Sequence, residues 1–185
     1  MTIEDAAILA IDACQSEGVE YMLTGAFAYG IYGIPRSTMD VDLVLSIQKP
    51  QEMFKVLKAL ETEVLFGDQQ VFDTLTFGRR WVGKVRKSPE FQIELFELFE
   101  DDFVMAQFQR KKELKSVQLS RTVWVPTAED VVVQKVRWAR EKDLGDAVDV
   151  VAVQGVEGLD MQYVREWCEK LGISDRLAAV LERAM

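Results

Sequence analysis

Two aspartates one residue apart, Asp40 and Asp42, open an aliphatic run that continues to Ile47. The acids are followed almost entirely by Val, Leu and Ile, a pattern that predicts a strand buried on both faces. Side chains alternate along a strand, so Asp40 and Asp42 share one face and Val41 and Leu43 the other. Two carboxylates held that close repel each other. A divalent cation relieves the repulsion, and Mg²⁺ takes oxygen ligands, often one or two carboxylates plus substrate phosphates. Two such ions can stabilise both oxygens of an in-line phosphoryl displacement. A solvated strand end is the plain alternative for the same pair.

The residues upstream add to the constraint. Glu20 to Leu23 reads as a short strand, and Thr24-Gly25 turns the chain into a helix over 26–32 that Gly33-Ile34-Pro35 breaks. Gly25 lets backbone approach a ligand, and backbone N–H groups at a helix start attract phosphate. Arg36 offers a forked cation, and Thr38 a hydroxyl. The ordinary readings are a plain strand-to-helix turn and an ion pair of Arg36 with Asp40 or Asp42.

The rest of the chain reads as follows. Helices are expected at 3–16, capped by Thr2 with Asp5 three residues on, and from Pro50 to about 61. Residues 71–97 suggest two or three strands. A helix near 101–112 and a strand near 115–125 follow. Thr127 then caps a helical tail at 128–142, 144–154, 160–171 and 175–184. This describes an α+β core over 1–125, a mixed sheet flanked by helices, and a packed helical segment over 126–185.

Composition narrows the chemistry. The 185 residues fit one domain with an appendage. The formal net charge of −9 argues against tight nonspecific DNA binding. There is no histidine, so histidine bases and triads are excluded. Cys14 and Cys168 match no zinc spacing and read as small buried hydrophobes on helices. No signal peptide and no membrane-spanning run is visible, which gives a cytoplasmic expectation.

The ordered set Gly25, Ala28, Gly33, Arg36, Thr38, Asp40 and Asp42 resembles the signature of the polymerase-beta-type nucleotidyltransferases. It is most similar to their small bacterial branches, the minimal nucleotidyltransferases and the abortive-infection toxins. The resemblance spans roughly residues 20–150. It implies a third carboxylate on a neighbouring strand. Glu94, within Phe91-Gln-Ile-Glu-Leu-Phe96, is the choice, and Glu97 falls out of phase with it. It also implies that Lys135 contacts a triphosphate and that Asp143 caps the next helix or orients Lys135. Asp40, Asp42 and Glu94 would then hold one or two Mg²⁺ ions. Thr24, Gly25, Arg36, Thr38, Lys135 and Asp143 would bind the nucleotide. The activity implied is transfer of a nucleoside monophosphate from a nucleoside triphosphate to an RNA, protein or small-molecule acceptor. A module without turnover, and one half of a toxin–antitoxin pair, are the rival readings.

Blander readings attach to the remaining charges. Asp146 reads as a surface acid. The basic runs 79–87 and 110–115 read as solvated loops, with guidance of an RNA acceptor such as a tRNA end as the alternative, and Trp138 and Trp167 as core or interface residues.

Overall fold

A computed structural model describes residues 1–76 and 78–184; Phe77, inside the predicted strand-rich stretch, and Met185 lie outside them. The elements in chain order are α1 (Ile3–Ser16), β1 (Tyr21–Leu23), α2 (Gly25–Tyr32), β2 (Asp40–Leu45), α3 (Pro50–Leu60), β3 (Val64–Phe66), β4 (Val71–Phe72), β5 (Arg79–Val85) and β6 (Gln92–Glu97). They continue as α4 (Asp102–Arg110), β7 (Lys112–Ser116), β8 (Arg121–Val125), α5 (Ala128–Trp138), α6 (Glu141–Gln154), α7 (Met161–Lys170) and α8 (Ser174–Ala184).

The main sheet runs β1-β2-β6-β5-β3, with β4 paired to β5. Among the described residues only β2 and β6 are parallel; the other pairings are antiparallel. This is the expected α+β mixed sheet. One face of β2 and β6 carries Val41, Leu43, Leu45, Ile93 and Leu95, all fully buried, on elements that α1 contacts. The small residues Ala6, Ala7, Ala10 and Cys14 let α1 sit close to that surface. The other face carries Asp40, Asp42 and Val44 beside Glu94 and Phe96.

Local chemistry sets the helix starts where the sequence placed them. The Thr2 side chain accepts from Asp5 N and the Asp5 carboxylate accepts from Thr2 N, a reciprocal capping box. Thr127 caps α5 by accepting from Asp130 N. Both cysteines are free and buried on α1 and α7, and burial pushes their thiols up to about 12 and about 11.

Several boundaries depart from expectation. The helices predicted over 128–142 and 144–154 part earlier than expected, between Trp138 and Glu141, where Ala139 takes a left-handed conformation, φ 56°. That break turns the chain so that α6 packs back on α5. The strand expected at 115–125 is a hairpin of β7 and β8, with a positive φ at Ser120 in its turn. A strand over Val64–Phe66 pairs with β5 although no alternation announced it, because its length is only three residues. Among the described residues no helix is long and apolar enough to cross a membrane.

The C-terminal helices are tied to α2 by buried polar bonds. Tyr32 Oη donates to the Pro126 carbonyl (2.7 Å), Tyr29 Oη to Asp149 (2.9 Å), and Gln154 Nε2 to the Tyr32 carbonyl (2.7 Å). A cleft opens between this helical side and the polar face of the sheet.

Candidate active site

The cleft has a volume of about 210 Å³ and is lined by β2, β6 and β5 on one side and by α2, α4 and α5 on the other. Parallel pairing of β2 with β6 puts Asp42 directly beside Glu94. Asp40 lies on the same face two residues away. Glu97 pairs instead with Gln70, away from the cleft lining. Glu94, the residue chosen from the sequence, is thus the acid that the topology brings to the aspartates.

Nothing nearby fully offsets this concentration of negative charge. Burial, then the neighbouring Asp40, pushes the Asp42 carboxyl up to about 6. Burial, then Asp42, pushes Glu94 up to about 7. Lys135, Arg80 and Lys142 pull Asp42 the other way without restoring it.

Thr24 and Gly25 form the wall next to the acids. Thr24 N donates to the Asp42 carbonyl (2.9 Å), which docks the start of α2 against β2. Gly25 has φ 62°. A Cβ on Gly25 would overlap Asp42 Oδ2 and come within 2.9 Å of its Cγ. Gly25→Ala therefore meets two penalties, a left-handed conformation costing roughly 1–2 kcal/mol and a displaced carboxylate. Its melting temperature is expected to fall by roughly 2–8 °C, measured by calorimetric unfolding. An unchanged melting temperature would show that the Asp42 carboxylate has room to move aside.

Thr38 lies at the strand entrance, where its Oγ1 accepts from Asp40 N (3.3 Å). Arg36 does not pair with Asp40 or Asp42, as the plain alternative held. It reaches Asp146 with two bonds of 3.0 Å, Nε to Oδ1 and Nη2 to Oδ2. Asp146 is consequently not a surface acid. It is 4% exposed and also receives Lys135 Nζ at 2.7 Å. Burial opposes its charge, yet the bonds from Arg36 and Lys135 hold its carboxyl below the usual range. Asp143 is fully buried and takes Lys135 Nζ at 3.2 Å and Arg140 Nε at 2.5 Å. It therefore orients Lys135, as one of the two expectations had it. Lys135 lines the cleft, but its charge is spent on two acids.

Four cations in the cleft, Arg80, Arg137, Arg140 and Lys142, had drawn no role from the sequence. Arg80, in a run read as solvated loop, lies on β5 and pairs with both Asp73 and Glu94, its Nε 3.2 Å from Glu94 Oε2. Register explains this: Arg80 pairs with Phe96, and the alternation puts it on the face of Glu94. Lys142 is the one cleft cation without an ion-pair partner among the described residues. Trp138, expected in a core, also lines the cleft, beside Lys135 and Arg140. Among the described residues five of the six cleft cations are paired with acids, which leaves Lys142 as the positive charge free for a ligand.

Oxygen donors of the kind Mg²⁺ prefers are present at Asp40 and Asp42, and a carboxylate pair completed by phosphate oxygens is a common arrangement for that ion. Among the described residues no three acids already converge into a closed cage, and the Glu94 carboxylate is engaged by Arg80. The donor set fits an ion completed by a phosphate ligand better than one held by protein alone.

No family model matches the chain, and no curated protein matches it in sequence. Solved structures do match. The antibiotic-resistance factor ANT(2")-Ia, in complex with adenylyl-2"-tobramycin, aligns over 93% of this chain and 98% of its own, with TM-score 0.65 and 11% identity. An antigenic nucleotidyltransferase-like protein from Paracoccidioides brasiliensis aligns over 99% of this chain and 93% of its own, with TM-score 0.54 and 19% identity. The lincosamide antibiotic adenylyltransferase LnuA, lincomycin-bound, aligns over 83% of this chain and 98% of its own, with TM-score 0.54 and 14% identity. At such identities the likeness is one of fold.

Proposed function

We propose that this chain, which has the nucleotidyltransferase fold, transfers a nucleoside monophosphate from a nucleoside triphosphate to an acceptor hydroxyl. The observation that carries this reading is the in-register pair Asp42 and Glu94, with Asp40 beside it and the start of α2 docked on Asp42. In this reading residues 1–125 supply the carboxylates, and residues 126–185 supply Lys135, Asp143 and Lys142.

Asp40, Asp42 and Glu94 are the groups that would hold Mg²⁺. Bound there, the ion would neutralise phosphate charge and activate the attacking oxygen. The chain's own residues do the rest. Backbone N–H groups from Gly25 onward at the start of α2 meet phosphate oxygens without a side chain in the way, the Thr24 N–H being held by the Asp42 carbonyl. Arg36, fixed by Asp146, and Thr38 flank the phosphates. The acceptor oxygen bonds to the α-phosphorus as the bond to the bridging oxygen breaks and pyrophosphate leaves. A carboxylate takes the acceptor's proton, since the chain has no histidine. Two of the similar structures are described with an antibiotic or its adenylylated form, which favours a small-molecule hydroxyl over RNA or protein.

Lys142 carries the one unspent charge and is assigned to the triphosphate. Lys142→Ala is expected to weaken Mg²⁺-dependent triphosphate binding by about tenfold, the worth of one charge-assisted contact, with the melting temperature unchanged. Calorimetric titration measures it, and equal affinity in the variant would remove Lys142 from the site.

The Arg80–Glu94 pair favours a second reading, a nucleotide-binding module without turnover. Titration of each nucleoside triphosphate, with and without Mg²⁺, followed by an assay for pyrophosphate release, separates the two. Binding with release supports transfer. Binding without release from any tested acceptor supports the module. No Mg²⁺-dependent binding at all sinks both.

A further inference from the structure

The cleft changes character along β2 and β6. Because the two strands are parallel, Val44 lies beyond Asp42 in the same direction as Phe96 lies beyond Glu94, on the same face. Two residues of strand rise separate them from the acids by about 7 Å. Around them stand Phe99 and Val104. The charged pair at this end, Arg137 with Asp101, is satisfied by two bonds of 2.9 and 2.7 Å. This end therefore offers an apolar surface and no free charge for a phosphate or a polycation.

Opposite the sheet, α4 and α5 run antiparallel. Asp101 at the start of α4 holds Arg137 at the end of α5, and Arg110 at the end of α4 reaches Asp130 and Thr127 at the start of α5. Gln107 therefore lies against the middle of α5, near Gln134, and both glutamines line the cleft. Gln107 is only 3% exposed, yet its Nε2 has no hydrogen-bond partner; the Trp138 indole Nε1 is likewise buried and unpartnered. Each such orphan costs roughly 1–3 kcal/mol. Both residues line the one cleft, which makes a ligand seated there their candidate partner.

We propose that this end of the cleft is the nucleobase subsite, in which the Gln107 amide and the Trp138 indole N–H read the edge of the base. The proposal rests on the nucleotidyl-transfer reading: with phosphate at the carboxylates the base lies within one nucleotide's reach, and Val44 and Phe96, about 7 Å along the same face, are within it. A flat uncharged ring with nitrogen and carbonyl acceptors suits the apolar walls. It also suits the two orphan donors, and the glutamine amide can both donate and accept. A site built to hydrogen-bond one ring edge rejects rings that leave its groups unpaired.

The test is calorimetric titration of the full chain with ATP, GTP, CTP, UTP and inorganic tripolyphosphate, each with Mg²⁺. The variants are Gln107→Leu and Trp138→Phe. The wild type is expected to bind at least one nucleoside triphosphate about tenfold more tightly than another and than tripolyphosphate. Gln107→Leu removes an unpaired buried amide, so its melting temperature holds or rises. Its preference is expected to shrink to about threefold or less, with tripolyphosphate affinity unchanged. Trp138→Phe keeps the ring and is expected to shrink the preference as well, which carries the test if the first variant fails to fold. A preference that survives in both variants overturns the subsite. So does a wild type that binds all four no better than tripolyphosphate. If tripolyphosphate and every nucleotide fail to bind, the transfer reading falls and takes the subsite with it.

Discussion

Asp42→Asn is expected to abolish Mg²⁺-dependent triphosphate binding and transfer, and at the same time to make the metal-free protein more stable at pH 8. The first effect follows from its place: Asp42 is flanked by Asp40 and Glu94 and touched by the start of α2. An amide donates as well as accepts and carries no charge, so it replaces a metal-holding carboxylate poorly. The second effect follows from linkage. The carboxyl titrates near 6 in the fold because burial and then Asp40 disfavour its charge, whereas in the unfolded chain it titrates near its ordinary value of 3.8. Between those values the native state binds more protons than the unfolded one, so stability falls as pH rises through that window. Glu94, pushed up to about 7, extends the fall by one more unit. Below about pH 3, under both unfolded values, both acids are protonated in either state and the penalty vanishes. Asparagine removes one of the two charges. At pH 8 the variant should gain on the order of 1–2 kcal/mol, discounted for the half-burial of Asp42, and near about pH 3 the two proteins should match. Urea unfolding across about pH 3–8 measures it. A variant destabilised equally at both ends would mean that the carboxylate is structural, and retained triphosphate binding would remove it from the site.

Lys135→Met is expected to cost roughly 2–4 kcal/mol in unfolding free energy. Lys135 is 4% exposed and its Nζ bridges Asp143 and Asp146, themselves 0% and 4% exposed. Removing one partner of a buried pair leaves uncompensated charge, typically costing 3–5 kcal/mol. The figure is lower here because Arg140 still holds Asp143 and Arg36 still holds Asp146. Arg36 and Arg140 would then turn further toward those acids, so triphosphate affinity should fall with stability. Denaturant unfolding of variant and wild type reads the first effect and calorimetry the second. A loss under about 1 kcal/mol would show that the two arginines alone satisfy the acids.

The sequence by itself determined what depends on neighbours along the chain. Alternation put Asp40 and Asp42 on one face of β2, because a strand has a period of two. It likewise put Glu94 and Glu97 on opposite faces of β6, while the parallel pairing with β2 decided that Glu94 is the one that meets the aspartates. The Thr2 and Thr127 caps were legible because a cap and its third residue lie within one helical turn. The break after Trp138 was not, since the left-handed Ala139 carries none of the glycine or asparagine that usually announces such a turn. Tertiary structure alone decided the partners. Arg36 and Asp146 stand 110 residues apart, and no local pattern distinguishes Asp146 from a solvated helix acid. Arg80 left its solvated run and reached Glu94 only because β5 pairs antiparallel to β6 in one particular register. Gln107 carries no sequence signal either; the antiparallel seating of α4 on α5 buries its amide against the cleft. Hydrophobic and capping patterns act over a turn or two of chain. Charge pairing and cleft lining are set by contacts between distant segments, and those exist only once the sheet has its order.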